Sequence, residues 1–467
     1  MFAVHSTWSH QTMQNSQANS EGVSLFHEKY ADPVFLRAAE TLQRRACDFH
    51  TKFSAAWSGR LFRPLIFDAK AYSGLFTRLD ALATLIESLP ARFFNGDICA
   101  LGEALGMEAA PLNVLRRLGR RSSVRAFRAD IVLHDRGASV IELNWGSRLG
   151  GYDIDGLASA VIAAFKASTP SGDPLDVFPA PTDALVSAIH EYLPDGIALA
   201  ATQVVLVCGG EVDRESPMMQ SIAEHLSQYL PDVRLISLDE LPRFIEAIPD
   251  VSFPVVLRYF QVDDIVGDER LISAVASLYD LDEQRRLLLW TGLEGAVFAS
   301  KGLLSLLYEL ASSDRLADHE KSVVLDLVAP SWDARALASS WPVASEQIGL
   351  PIGSVLFKPK RGLGGGGIVL GRDVSPADSG DFWNFAQQND LVVQRLLEPI
   401  PVAYAPPGGA DMDWRVVLGA YLTPIGPGGV VVRARPWQDG SAVVSASGST
   451  VSRVGTLLAI RGPQPIP

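Results

Sequence analysis

A stretch of nineteen residues, FRADIVLHDRGASVIELNW (127–145), constrains the fold of this chain more than any other segment. Apolar and polar residues alternate on both sides of Asp135, Arg136 and Gly137, which have the composition of a tight turn. This pattern predicts two antiparallel strands joined as a β-hairpin.

Three polar residues of the predicted hairpin, Asp130, Glu142 and Asn144, have even numbers. If even positions pair with even positions across the turn, their side chains share one face of the hairpin. Two carboxylates and an amide oxygen form a hard oxygen site that suits Mg²⁺ together with nucleotide phosphates. The alternative is that Asp130 and Glu142 are only exposed positions of a half-buried hairpin.

A glycine-rich segment, VLFKPKRGLGGGGIVLG (355–371), is the second informative feature. Five glycines follow Lys360 closely, namely Gly362, Gly364, Gly365, Gly366 and Gly367. Glycines let backbone N–H groups turn toward an anion, and Lys358 would add a point charge for a phosphate. The segment is neither a Walker A loop nor a dinucleotide fingerprint, because no GK[ST] closes it and a strand rather than a helix follows. The alternative is a flexible hairpin tip.

Further polar residues lie downstream and are individually weak signals. They are Lys301, Gln394, Asp413, Arg415, Arg433 and Arg435. Arg433 and Arg435 alternate in one predicted strand, where their guanidinium groups could clamp a phosphoryl group or a carboxylate. A solvated sheet face explains any one of these residues equally well.

The length of 467 residues predicts several domains or subdomains. Apolar residues recur at helical spacing from 33 to 121, whereas VVLVCGG and PVVLRYF indicate an α/β stretch with βαβ character. We expect an arm and helical region at 1–121, a hairpin region at 122–200, an α/β lobe at 201–295 and a nucleotide-binding part at 296–467.

The formal charge of −13 argues against a general nucleic-acid binder, because such proteins need clustered Lys and Arg. Three widely spaced cysteines indicate reduced thiols, and no apolar run approaches the roughly 18 residues of a membrane span. We therefore expect a cytoplasmic protein that binds neither nucleic acid nor membrane. The chain is compatible with a homodimer.

The order of these motifs resembles the ATP-grasp superfamily. Ordinary ATP-grasp ligases present a lysine, a glycine-rich loop, a hinge strand, an arginine strand and last a D…E-x-N metal hairpin. Here DIVLHDRGASVIELN stands first, and this permuted order is similar to that of eukaryotic-type glutathione synthetase over about residues 125–460. The resemblance implies an α/β (α+β) fold of the circularly permuted ATP-grasp type, with an N-terminal helical region and a second α/β lobe.

The resemblance also implies ATP and Mg²⁺ as cofactors and a role for individual residues. The residues implied for ATP are Lys301, Lys358, Gly364, Gly365, Gly366, Gly367, Gln394, Leu396 and Leu397, and the nearby cations Lys360 and Arg435 are further candidates for ATP. The residues implied for substrates are Arg128 and Arg433, which join Lys358 in the catalytic set. Trp145 and Arg148 mark a departure from the family's substrate shell, and with Ser147 and Arg258 they are further candidates for contact with substrate. Glu142 and Asn144 would ligate magnesium.

One departure concerns the metal, since the loop carboxylate of glutathione synthetase is replaced here by Gly362 or Leu363. Asp130 is the candidate to replace it, and glutathione synthesis itself is not implied. The expected function is an ATP-dependent ligase that joins a small-molecule carboxylate to an amine through an acyl phosphate. The alternatives are a nucleotide-binding regulatory protein without catalysis and a phosphotransferase on the same fold.

Overall fold

The computed structural model describes residues 65–119, 124–152, 180–248, 252–362, 366–404, 412–439, 444 and 453–460. The strands are β1 (Leu65–Asp68), β2 (Phe127–His134), β3 (Gly137–Trp145), β4 (Thr202–Cys208), β5 (Asp232–Ser237), β6 (Phe253–Tyr259), β7 (Leu288–Leu289), β8 (Ser331–Asp333), β9 (Val355–Pro359), β10 (Val369–Leu370), β11 (Leu391–Arg395), β12 (Val402–Tyr404), β13 (Met412–Thr423), β14 (Gly426–Pro436) and β15 (Arg453–Ile460). The helix expected near 155–168 lies outside the described residues.

The helices surround three sheets, so the fold mixes helix and sheet as expected. They are α1 (Ala69–Phe93), α2 (Ile98–Ala104), α3 (Ala109–Leu118), α4 (Pro181–Tyr192), α5 (Glu211–Arg214), α6 (Pro217–Leu226), α7 (Leu241–Glu246), α8 (Glu269–Glu283), α9 (Gly295–Phe298), α10 (Gly302–Ser312), α11 (Asp318–Leu327), α12 (Trp341–Ile348) and α13 (Ser379–Gln388). No helix of the described residues is long and apolar enough to cross a membrane.

The largest sheet joins the front of the chain to its end. Its strand order is β1-β15-β14-β13-β2-β3, and β12 also pairs with β13. The hairpin β2–β3 therefore lies beside the late strand β13, more than 260 residues away in sequence, and β14 pairs with the other edge of β13. Strand β1 was not expected, since four residues before a long helix carry too little periodicity to identify a strand.

An extra residue in β3 sets the face of the hairpin that carries the acidic residues. Near the turn, odd and even positions pair, and Ile131 lies opposite Val140. The register then shifts, so that Asp130 lies opposite Glu142 and Ile141 is the additional residue of a β-bulge. Without this bulge a two-residue turn would have placed Ile141, not Glu142, opposite Asp130.

A small antiparallel sheet of order β10-β9-β11-β8 carries the glycine-rich segment. Odd-numbered residues such as Phe357 and Val393 pack into a core with Trp341 and Trp383. Because side chains alternate along a strand, the even-numbered Lys358 is directed to the opposite face, toward the hairpin. This alternation positions a lysine at the junction of two sheets.

The third sheet is parallel, with the order β5-β4-β6-β7, and it lies between residues 202 and 289. All seven residues of its central strand β4 are buried, which is typical of parallel strands covered on both faces. One apolar cluster includes β4, β6, α4 and α6. The α/β character predicted for this stretch is therefore present.

A stability prediction follows from Gly371, which begins the turn after β10. A Cβ atom at this position would overlap the carbonyl oxygen of Ile352 and lie 2.9 Å from that of Val355. Since main-chain atoms cannot yield like a flexible side chain, Gly371→Ala should destabilise the small sheet by about 1–3 kcal/mol. Thermal unfolding followed by circular dichroism should show a lower Tm.

The matched control is Gly380→Ala in α13, where nothing lies within 4 Å of the added Cβ. This change should leave the Tm unchanged or raise it slightly, because alanine favours helix by up to about 1 kcal/mol. Equal Tm values for the two variants would contradict the crowding described at Gly371.

Candidate active site

Lys301 connects the glycine-rich segment to the hairpin. Its main-chain N–H donates to the carbonyl of Lys360 at 2.9 Å, and its Nζ donates to the carbonyl of Gly362 at 2.8 Å. The same Nζ lies 3.2 Å from Glu142 Oε1. Two regions that were expected to meet are thus in contact through a side chain that is only 7% exposed.

Lys358 is buried at the same junction and is held by neutral oxygens. Its Nζ donates to the carbonyl of the bulge residue Ile141 at 3.1 Å and to Gln394 Oε1 at 2.8 Å. Burial lowers the pKa of Lys358 to about 8, although Glu142 and Asp130 act in the opposite direction. Within the described residues no carboxylate forms an ion pair with it, so its positive charge is available to an anion.

Gln394 has a different environment from the one expected. It was expected beside the adenine, but its side chain is 1% exposed and is turned toward Lys358. Its Nε2 donates to Ser331 Oγ at 3.0 Å, which fixes the amide so that its oxygen faces the lysine. Leu396 and Leu397 follow β11 directly and are half-buried.

Asp130 is bound by two arginines. Arg128 Nε donates to Oδ1 at 2.9 Å and its Nη2 donates to Oδ2 at 3.3 Å. Arg433 Nη2 lies 2.7 Å from Oδ2, as a contact of charges rather than an aligned hydrogen bond. Burial would raise the pKa of Asp130, yet the two guanidinium groups lower it to about 2.

Arg128 is also bound to the loop after the hairpin. Its Nη1 donates to the carbonyl of Gly150 at 2.8 Å, and the hydroxyl of Tyr421 donates to the same oxygen. Burial would lower the pKa of Arg128, but Asp130 and Tyr421 together raise it. Arg128 therefore remains charged and is fixed on two sides.

Glu142 and Asn144 are the residues predicted to ligate a magnesium ion. Lys301 is the ion-pair partner of Glu142 within the described residues, and Asn144 Nδ2 is buried there without a hydrogen bond. Among the residues that the structure describes, no group of three His, Cys, Asp or Glu side chains is arranged to hold a metal ion. One carboxylate and one amide oxygen fit Mg²⁺, which takes few protein ligands and completes its shell with phosphates and water.

Lys360 lies two residues after Lys358, just beyond the end of β9, and has different partners. Its Nζ lies 2.7 Å from Asp333 and 2.7 Å from Asp390. Two carboxylates thus compensate its buried charge, and contact with a phosphate would require these ion pairs to break. The sequence could not distinguish the two lysines, because the acidic partners lie 27 residues before and 30 residues after Lys360.

Trp145 lies on the other face of the hairpin from Asn144. Its ring stacks on Phe127 with centroids 4.7 Å apart and packs against Phe298 at 5.1 Å. It lines a cavity of about 150 Å³ on that side. Trp145 was expected among the substrate residues, but the structure places it in the core, because neighbouring residues of a strand point to opposite faces.

Arg258 anchors the loop that follows the hairpin. Its guanidinium group donates to the main-chain carbonyls of Phe260, Thr291 and Gly292, the last at 2.9 Å. Ser147 Oγ donates to the carbonyl of Arg258 itself. Burial lowers the pKa of Arg258. It was expected to contact substrate, but contact with an anion would require these bonds to break.

Arg148 is the residue of this loop with an accessible charge. It is about one third exposed and lies 3.5 Å from Asp264 and 3.7 Å from Asp213, beside the carboxyl ends of β6 and β4. Ligands of parallel α/β sheets bind at this end of the strands. The geometry leaves Arg148 free to exchange these loose contacts for a ligand.

Gly366 and Gly367 are the described glycines of the expected phosphate loop, since Gly364 and Gly365 lie outside the described residues. Gly367 has a φ of +74°, which other residues rarely adopt. Arg435 shares a sheet face with Arg433, as expected, but binds Asp439 in the helical turn Trp437–Asp439 that follows β14.

Sequence reasoning missed Ser331, Gly419 and Tyr421. A Cβ at Gly419 would lie 2.9 Å from Arg128 Cδ, so this glycine of β13 makes room for the arginine to cross the sheet. A glycine inside an otherwise apolar strand, VVLGAYL, signals such a close approach. No local signal identifies Ser331, because its partner Gln394 is 63 residues away.

The lowered pKa of Lys358 predicts a pH-dependent stability. The unfolded lysine keeps its proton up to pH about 10.5, whereas the folded one loses it near pH 8. Between these values the unfolded state binds more protons, so the wild-type protein gains stability as the pH rises. Lys358→Met lacks this gain, and its Tm relative to wild type should therefore fall between pH 8 and 10.

Differential scanning calorimetry of both proteins at pH 7, 8, 9 and 10 measures this difference directly. Lys321→Met, which removes an exposed lysine paired with Asp314, provides the control and should give a constant difference from wild type. A constant difference for Lys358→Met as well would contradict the environment described for Lys358.

Neither a known protein family nor a curated protein matches this chain in sequence. Among solved structures, the chain is similar to a glutathione synthetase-like effector from Globodera pallida in the apo form, with a TM-score of 0.51 and 13% identity over 91% of this chain and 97% of that chain. A candidate gamma-glutamylcysteine synthetase from Methylobacillus flagellatus KT gives a TM-score of 0.36 and 11% identity over 81% and 85% of the two chains. The first likeness concerns the fold alone, and the second is too weak to carry an argument. The chain therefore shares the fold of a glutathione synthetase-like protein.

Proposed function

We propose that this protein is an ATP-dependent ligase that joins a carboxylate to an amine through an acyl phosphate. The observation that carries this proposal is an excess of positive charge where the hairpin meets the small sheet. Four cations and two carboxylates meet there: Lys301, Lys358, Arg128, Arg433, Asp130 and Glu142. Two uncompensated positive charges in a buried site favour a polyanion such as the phosphates of ATP.

The strand order supports a permuted ATP-grasp arrangement. In the resembling ligases the metal hairpin follows the arginine strand, and here β2–β3 precedes it in sequence yet lies beside β13 in the same sheet. The two nucleotide-binding lysines would come from β9 and from the start of α10. A sheet can hold the same neighbours with its chain order changed, provided the connections stay at the surface.

The nucleotide would lie between the small sheet and the hairpin. Lys301 and Lys358 would bind its phosphates together with the N–H groups of Gly366 and Gly367, and the segment after β11 would face the adenine. Glu142 and Asn144 would hold Mg²⁺, which when bound neutralises phosphate oxygens. These residues are proposed for their charge and placement.

In the first step a substrate carboxylate oxygen attacks the γ-phosphorus of ATP, and ADP leaves. Arg128 and Arg433 would hold the carboxylate in line, while Lys358 offsets the charge that accumulates on the phosphoryl oxygens. In the second step an amine attacks the acyl carbon, an amide bond forms, and inorganic phosphate leaves with the electron pair of the C–O bond. No protein nucleophile is required, since orientation and electrostatics suffice.

A hydroxylamine-trapping screen across amino acids and small peptides with Mg·ATP tests the proposal. Wild-type protein should release ADP and form a hydroxamate with at least one carboxylate. Glu142→Gln, Asn144→Ala and Lys358→Met should each lower kcat/KM by about 100-fold or more. Lys321→Met should retain wild-type activity.

Two results would contradict ligation in different ways. Release of ADP without any hydroxamate, with phosphate remaining on an acceptor, would identify a phosphotransferase. Binding of Mg·ATP without release of ADP under any condition would identify a nucleotide-binding protein that does not catalyse.

A second prediction concerns Gln394, whose Oε1 is 2.8 Å from Lys358 Nζ. Gln394→Glu keeps the shape of the side chain but places a carboxylate against the lysine, so that the lysine is compensated before a phosphate arrives. We expect Mg·ATP affinity, measured by calorimetry, to fall by about tenfold or more. Gln228→Glu, at an exposed position after α6 in the lobe of the parallel sheet, should bind like wild type. Unchanged affinity in Gln394→Glu would remove Lys358 from the phosphate site.

A further inference from the structure

Asp130 has an environment that differs from that of a metal ligand. Both of its carboxylate oxygens face guanidinium groups, at 2.9 and 3.3 Å for Arg128 and at 2.7 Å for Arg433. The residue is 4% exposed, so water does not screen these charges. A divalent cation on this carboxylate would stand beside two fixed positive charges.

Glu142 provides the contrast within the same hairpin. It lies directly opposite Asp130, but it faces a single lysine at 3.2 Å and is more exposed. Its carboxylate can turn toward a cation without breaking a bidentate arginine pair. The carboxylates of Asp130 and Glu142 therefore have different partners and are suited to different roles.

We propose that Asp130 is a positioning residue that holds Arg128 and Arg433 together as one receptor for the substrate carboxylate, and that it is not a ligand of magnesium. Two guanidinium groups that contact the same buried carboxylate would repel each other if that anion were absent. Asp130 supplies that anion from β2, and Gly419 of β13 leaves the space in which Arg128 crosses toward Arg433.

The arginine pair keeps donors for a ligand. Arg433 Nε is buried and makes no hydrogen bond within the described residues. An unsatisfied buried guanidinium donor is unfavourable, and a carboxylate that accepts from both arginines would satisfy it. The assignment to a carboxylate rests on the proposed function, whereas the clamp formed by Asp130 rests on the observed contacts.

Isosteric variants of the full-length protein separate the two roles of a carboxylate in this hairpin. Without any ligand, Asp130→Asn leaves two buried arginines uncompensated, and its Tm should fall on the order of 5 °C. The double variant Asp130→Asn with Arg433→Met should regain part of the lost Tm, because only one of the two buried guanidinium charges then lacks a partner. An apo Asp130→Asn protein as stable as wild type, or more stable, would overturn the clamp.

The magnesium requirement gives the second readout. Calorimetric binding of the ATP analogue AMPPNP is titrated with Mg²⁺ in wild type, Asp130→Glu and Glu142→Gln, of which Asp130→Glu retains the charge and should fold. Glu142→Gln should raise the Mg²⁺ concentration for half-maximal binding by at least about tenfold. Asp130→Glu should stay within about twofold of wild type. Equal increases in both variants would make Asp130 a metal ligand.

The two proposals fail separately in this design. If wild-type protein does not bind AMPPNP at all, the proposed function is wrong, and the Tm series still decides whether Asp130 clamps the arginines. If a carboxylate substrate is found in the hydroxamate screen, Asp130→Glu should raise its KM more than it lowers kcat. A loss confined to kcat with unchanged KM would contradict a receptor for the carboxylate.

Discussion

The site depends on one additional residue in β3. Ile141 shifts the register of the hairpin so that Glu142 and Asn144 share a face with Asp130. Its carbonyl, released from the regular ladder, accepts a hydrogen bond from Lys358. A single irregularity therefore orients the acidic face and also fastens the small sheet to the large one. Bulges that redirect side chains are common beside active sites for this reason.

The two lysines of the segment KPK show that long-range packing, and not local sequence, determines the partners of a buried charge. Lys358 and Lys360 lie two residues apart, yet one is held by neutral oxygens and the other by two aspartates. A buried ammonium with carboxylate partners serves the fold, because its charge is already balanced. A buried ammonium without them retains an attraction for an anion.

Much of the fold could be predicted from periodicity. Local patterns predicted the hairpin, the strand that carries Lys358 and the apolar strands of the parallel sheet. Alternation and turn residues are properties of neighbouring positions, so the sequence alone contains them. The shared face of Asp130, Glu142 and Asn144 was also expected, although its cause, the bulge, was not. Domain boundaries and residue roles remain predictions.

The rest could not be predicted because it depends on partners distant in the chain. Trp145 was assigned to substrate from its position after Glu142, but its contacts with Phe127 and Phe298 are made only in the folded protein. The burial and the partners of Arg258 and Gln394 were likewise not foreseen, since charge and polarity predict neither, and the roles of both residues remain predictions. A polar residue near a motif is as often a support for the motif as a member of it.

Arg258 is an example of a polar residue that supports the loop after the hairpin, and it limits which residues of that loop can change. Its guanidinium group binds carbonyl oxygens of the main chain, which every amino acid provides. Those carbonyls belong to Phe260, Thr291 and Gly292, and the loop bearing Arg148 is joined to this framework by Ser147, whose Oγ donates to the carbonyl of Arg258 and whose N–H donates to Thr291 Oγ1. A substitution of Arg148 would therefore change the charge that the loop presents without removing the contacts that hold it, whereas a substitution of Ser147 would remove one of them.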